Sequence, residues 1–267
     1  MPSGVLASAV SRDRFSAHLS MLFRELPYLE RPAAAREAGF SAVETWWPAE
    51  LAQPWAQEVQ GLHLQVALLN CFGGDIEGGE RGFLNLPERR ERTLREFQEA
   101  VELARTVRAP RINVLAGLLT SGVSARRQRA EAASTLRECA ALAAVADITV
   151  VVEQINSVDV PRYLVPSARE VAALIQATGS SSVRMLYDVY HGARSGADPL
   201  KEIVEYVEVI DHIHYADCPG RGAPGTGTVD MFELLEVLDH AGYSGTVGLE
   251  YDPGGPTGPT LAFLGDR

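Results

Sequence analysis

Eight short apolar runs alternate with amphipathic helical stretches along 267 residues, a pattern that predicts an α/β fold whose eight parallel strands close into a (βα)8 TIM barrel. The length is near the roughly 250 residues such a barrel needs, and a content of 46% hydrophobic residues can fill its core. The third observation is chemical. Four side chains able to hold a metal, Glu153, Asp188, His214 and Glu250, each stand at the end of an apolar run, and they are separated by 35, 26 and 36 residues. Groups so far apart meet if successive strand ends are gathered at one rim, as a closed parallel barrel gathers them at its C-terminal face.

In chain order, the first strand is expected at 15–23 (FSAHLSMLF) and the second at 42–47 (AVETWW), with Gly39 marking the end of the helix between them. The third is QVALLNCF at 65–72, followed by a helix over 88–108 in which Leu94, Phe97, Val101 and Ala104 step by three and four. Strand RINVLAG (111–117) leads to a helix over 126–146 with Leu136, Cys139, Ala140 and Ala143 on one face. Strand TVVVEQIN (149–156) precedes a helix that Ser167 and Glu170 open with capping-box spacing, before Val171, Leu174 and Ile175. Strands VRMLYDVY (183–190) and DHIHYAD (211–217) follow, then a helix started by Asp230 and Glu233 and stopped by Gly242, and last TVGLEY (246–251). Most of these strands are apolar throughout, as parallel strands covered on both faces must be. The Pro- and Gly-rich tail after Glu250 has room for about one helical turn, so the eighth helix is expected to be short or missing. EAGFSAVE (37–44) and HAGYSGTVGLE (240–250) resemble each other, a weak internal repeat of the kind similar barrel units produce. No composition break divides the chain, which is read as a single domain over 1–267.

A formal charge of −11 and a pI near 5.1 argue against a surface for nucleic acid or anionic membrane, which clustered Lys and Arg would provide. Small molecules are the expected partners, and association into a homo-oligomer is left open. Cys71, Cys139 and Cys218 form no CxxC pair, which speaks against a disulfide framework or structural zinc and for a reducing compartment. The first residues lack a basic stretch ahead of an apolar segment, and no run reaches the ~18 apolar residues of a membrane span; a cytoplasmic location is expected.

Side chains alternate along a strand, so His212 and His214 face the same way and His214 is nearer the rim. A carboxylate at a strand end often only caps the next helix. Four metal-capable groups at barrel spacing, after runs where unpaired burial would cost several kcal/mol, favour a common metal instead. Two Glu, one Asp and one His make an oxygen-rich site that suits Mg²⁺ or Mn²⁺ and admits Co²⁺ or Zn²⁺. Lys201 is the only lysine and stands at a helix start, which argues against Schiff-base chemistry. Arginine must then hold any anionic substrate group, with Arg221 after the seventh strand and Arg81 in the Gly-rich loop after the third as candidates for a bidentate grip. Glu44, Trp46 and Trp47 end the second strand, where Trp46 could wall a small pocket and Glu44 could orient a substrate hydroxyl or a ligand; core packing is the simpler reading for at least one of the two Trp. Asn70, Asn113 and Asn156 also end strands.

The strings FSAHLSMLF, LNCFGGDIEGGERGFL, VVEQINSVDVPRYL, LYDVYH, HYADCPGRGAPGTGTVD and GLEY carry a resemblance. From about residue 14 to 252 the chain resembles the hydroxypyruvate isomerase family of the xylose-isomerase-like barrel superfamily. The resemblance implies that Glu153, Asp188, His214 and Glu250 hold a divalent metal ion, although family members often carry Gln where His214 stands. It also implies that Glu153 and Glu250 pass a proton and that His191 and Arg221 touch the substrate. The implied reaction interconverts hydroxypyruvate and tartronate semialdehyde through an enediolate, whose charge a metal can stabilise. Alternatives are the same chemistry on a longer 2-oxo acid such as a 2-oxotetronate, or ketose 3-epimerisation. More remote is a zinc-dependent abasic-site endonuclease, which the negative charge and the scarcity of rim histidines disfavour.

Overall fold

The computed structural model describes residues 11–265, and over them eight parallel strands close in sequential order into a barrel. The strands are β1 (Phe15–His18), β2 (Ala42–Thr45), β3 (Gln65–Asn70), β4 (Arg111–Asn113), β5 (Thr149–Glu153), β6 (Val183–Asp188), β7 (Ile210–Tyr215) and β8 (Val247–Leu249). Each lies within the run expected for it or begins one residue earlier, and all end sooner. The apolar runs outlast the strands because the rim loops are buried as well: Leu22 and Ala116 are fully covered although neither is in a strand.

Around the strands lie α1 (Arg31–Glu37), α2 (Ala52–Gly61), α3 (Arg90–Val107), α4 (Ala125–Ala144), α5 (Ala168–Thr178), α6 (Val189–Arg194), α7 (Pro199–Tyr206) and α8 (Met231–His240). The stepped apolar positions of α3 and α4 are the ones that pack inward, Phe97, Val101 and Ala104 from one, Leu136, Cys139 and Ala143 from the other. The Ser167 hydroxyl caps α5 by accepting from Glu170 N–H, and Asp230 caps α8 through the N–H groups of Phe232 and Glu233. Gly39 and Gly242 leave α1 and α8 with φ of 92° and 78°, a backbone that side chains with a Cβ resist. After β8 the chain forms only a 3-10 segment, Gly258–Leu264, in place of an eighth helix. It buries Leu261 and Leu264 and sets Phe263 edge-on against Phe15 at 5.9 Å.

Such barrels are usually filled by Val, Ile and Leu. Here an apolar trio inside, Leu68, Val151 and Leu186, is kept apart from the outer core. The remaining interior is polar, with Ser16, Glu44, His212 and His214 all buried. Register brings these groups level: His18 pairs with Glu44, Asp188 with His214, and His214 with Gly248. Two shifts, between Val43 and Glu44 and between Met185 and Leu186, set the heights of the polar positions that follow. Among the described residues no helix is long and apolar enough to cross a membrane, and all three cysteines are buried and unpaired.

Candidate active site

At the C-terminal rim the four separated residues converge. One ligand-capable atom from each of Glu153, Asp188, His214 and Glu250 lies within 4.8 Å of all the others, and all four residues are buried. Among the described residues, Asp188 Oδ2 and His214 Nδ1 find no hydrogen-bond partner. Three carboxylates and an imidazole gathered away from water, with acceptor atoms left over, fit a divalent cation.

The two glutamates sit in different surroundings. Glu250 Oε1 accepts from the Trp46 indole N–H at 2.9 Å, and Oε2 accepts from the Arg221 guanidinium at 2.7 Å. Burial alone would raise the Glu250 pKa, but Arg221 and His214 overcome it and hold the carboxyl well below its usual range. Glu153 Oε2 accepts from Asn113 Nδ2 at 3.0 Å, and among the described residues no ion pair reaches it. Burial, then the nearby charge of Glu250, raises its pKa. Carboxylates whose environments push them apart in this way are suited to opposite proton-transfer roles.

Beneath them, Glu44 makes no contact with the space where a substrate could sit. Its Oε2 lies 2.8 Å from His214 Nε2, its Oε1 lies 2.8 Å from His212 Nε2, and the Ser16 hydroxyl donates to Oε1 as well. Of the two roles expected for Glu44, the substrate contact is corrected, because its carboxylate lies one layer too deep and is spent on two imidazoles, and the orienting of a ligand is the role its position allows. What it can do is orient His214, whose other nitrogen, Nδ1, faces Glu250 Oε2 at 3.4 Å. His212 is an interior residue held by Glu44, as its deeper position on β7 implied. Gly248 makes this packing feasible, because a Cβ there would stand 2.6 Å and 2.7 Å from the Glu44 oxygens.

Above lies a cavity of about 390 Å³, bordered by Trp46, Trp47, Arg81, Glu153, His191, Arg221 and Glu250 among others. Both Trp side chains border it, and the half-buried Trp47 also packs against the apolar core, as the simpler reading expected for one of the two. Arg81 is braced by its own loop through the carbonyls of Ile76 and Glu80, and Arg221 lies over the Tyr190 ring, 5.4 Å from its centroid. His191 is in the first turn of α6, where its backbone N–H donates to Asp188 Oδ1 at 3.0 Å.

Two residues went unassigned in the sequence. His18 is fully buried, stands edge-on to Trp46 and His214, and places Nε2 3.5 Å from Glu250 Oε1; burial pushes its pKa down to about 4. Asp217 accepts four backbone N–H groups, from Cys218, Gly225, Gly227 and Val229 at 2.8–3.0 Å, and so folds the loop that carries Arg221. The only sequence signal for Asp217 is an acid at a strand end followed by a Gly-rich stretch.

Comparison with known proteins agrees with this fold. The family model described as Xylose isomerase-like TIM barrel matches residues 32–266. A 2-oxo-tetronate isomerase from Cupriavidus necator is 34% identical over 94% of this chain and 97% of its own length. Hydroxypyruvate isomerase of Escherichia coli is 32% identical over 94% and 98%. A crystal structure titled AP endonuclease, family 2 from Brucella melitensis superposes with a TM-score of 0.90 at 30% identity, covering 94% of this chain and 98% of that one. With its closed barrel, its buried acidic rim cluster and relatives matched over nearly their whole lengths, the chain belongs to the xylose isomerase-like TIM barrel family.

Proposed function

We propose that the protein is an isomerase that interconverts hydroxypyruvate and tartronate semialdehyde, with a divalent ion held by Glu153, Asp188, His214 and Glu250. The observation that carries this reading is the pair Glu153 and Glu250, two buried carboxylates of unlike environment bordering one cavity with Arg81 and Arg221. Moving the carbonyl from C2 to C3 requires taking a proton from C3 and returning one to C2, and the two glutamates would divide those tasks. The ion would supply Lewis-acid charge for the developing enediolate, with Mg²⁺ or Mn²⁺ the best match to the oxygen-rich donors and Co²⁺ or Zn²⁺ admissible. Arg221 and Arg81 would hold the substrate carboxylate, His191 would bond a substrate oxygen, and Trp46 would close the wall. Three unpaired thiols fit a reducing, cytoplasmic setting.

A longer 2-oxo acid is the second reading, supported by the similarity to the 2-oxo-tetronate isomerase. Abasic-site cleavage is disfavoured by the charge of −11 and by two of the six histidines: His63 lies in the turn between α2 and β3, and His240 ends α8 bonded to Glu236 O. The test is a panel of hydroxypyruvate, 2-oxotetronates, free ketoses and, with zinc, abasic duplex DNA, run on chelated and remetallated protein. Turnover of hydroxypyruvate that chelation removes and metal restores is expected, and Glu153→Gln and Glu250→Gln should each abolish it. Metal-independent turnover, or a fully active Glu250→Gln, would overturn the reading.

A further inference from the structure

Asn156 is fully buried three residues beyond Glu153 and does not border the cavity, yet it uses its whole hydrogen-bonding capacity. Its Oδ1 accepts from the backbone N–H groups of Val158 at 3.0 Å and Asp159 at 2.8 Å. Backbone N–H groups can only donate, so these contacts fix which end of the amide is oxygen. The amide nitrogen is left 3.0 Å from Asp159 Oδ2 and 2.6 Å from His191 Nδ1. Its two hydrogens thus meet two acceptors, and Nδ1 must carry a lone pair. Asp159 is itself fixed, since the Tyr190 hydroxyl donates to the same Oδ2 at 2.6 Å. His191 Nε2 then bears the ring proton, and Asp188 Oδ2, at 3.8 Å, is beyond hydrogen-bond reach of it.

We propose that Asn156 is a positioning residue that locks His191 in its Nε2-protonated tautomer, so that the ring offers a hydrogen-bond donor to an oxygen of the bound hydroxy-oxo acid. The opposite tautomer would turn a lone pair toward that oxygen, which gains negative charge as the enediolate forms. A fixed donor aimed at developing charge acts mainly on the chemical step. The inference rests on His191 touching substrate, as set out under the proposed function.

Two-bond ¹H–¹⁵N spectra of histidine-labelled protein, loaded with diamagnetic Mg²⁺, read the tautomer without any turnover, so failure of the proposed activity and failure of this inference are separate results. The expected spectrum has a bare Nδ1 and a protonated Nε2 for His191. The double variant Asn156→Asp with Asp159→Asn exchanges acceptor and donor, and it should move the proton to Nδ1. Its kcat should fall roughly 10²-fold, the scale of losing one donor to developing charge, while KM changes less than about tenfold. A purely structural role for Asn156 would lower the Tm and leave the tautomer alone. A proton on Nδ1 in the wild-type protein overturns the inference, as does wild-type kcat in a double variant whose proton has moved. If that variant does not fold, the wild-type spectrum decides.

Discussion

Replacing Gly248 with alanine tests the polar centre of the barrel directly. The added methyl would lie 2.6 Å from Glu44 Oε1, 2.7 Å from Glu44 Oε2 and 2.7 Å from His214 Cδ2, all inside contact distance and all on side chains with nowhere to go. Overpacking of this kind costs about 1–3 kcal/mol, and forcing Glu44 off one imidazole loses a hydrogen bond to a charged group worth about 1.5–3 kcal/mol. A loss of about 3 kcal/mol corresponds to a Tm roughly 6–12 °C lower for a domain of this size. Because Glu44 orients His214, affinity for Mn²⁺ should also fall about 10–100-fold, as when the partner of a ligating histidine is removed. Calorimetry of chelated protein reads the first effect, and competition with a chelator of known affinity reads the second. Gly61→Ala is the control: a Cβ at Gly61 meets nothing within 4 Å, and alanine in α2 should stabilise by about 0.4–1 kcal/mol. Wild-type Tm in Gly248→Ala would refute the packing argument, and a lowered Tm with unchanged Mn²⁺ affinity would refute the link through Glu44.

Arg221→Ala should lower kcat/KM for 2-oxo acids about 10²-fold or more, the scale of losing one partner of a buried charge pair, and affect an uncharged ketose far less. Equal losses on both would point to a neutral sugar as substrate. Asp217→Asn replaces two acceptor oxygens by one and turns an NH₂ toward backbone donors, so about 3 kcal/mol of stability should be lost from two unmade buried hydrogen bonds; an unchanged urea midpoint would contradict this. Burial would raise the Glu44 pKa, but His212 and His214 hold it well below the ordinary value. Its contribution is therefore complete above about pH 4.3, the free-glutamate value, and declines as pH falls below that. The stability gap between wild type and Glu44→Gln should narrow between pH 6 and pH 3, and a gap that widened would reverse the sign of the argument.

The positions of the eight strands were legible in the sequence, because parallel strands covered on both faces must be written as unbroken apolar runs. So were the helix caps at Ser167 and Asp230, whose partners lie two or three residues away. The acids and the histidine of the rim stood out for the same reason, as charged or titratable groups interrupting apolar text. Strand ends were less legible, since the buried rim loops continue the apolar pattern past Asn113 and His18.

Height along the barrel axis could not be read from the chain. Alternation says which face a side chain takes, but the level at which it meets its neighbours is set by the stagger of a closed sheet and by the shifts at Val43/Glu44 and Met185/Leu186. Of the two roles the sequence left open for Glu44, that stagger selected the support of His214 over contact with a substrate hydroxyl, and it gave Gly248 its reason to lack a side chain. Asn156 and Asp217 acquired their roles from turns whose backbone N–H groups point at them. The amino-acid order thus decided which residues face inward; only closure of the barrel decided which of them touch.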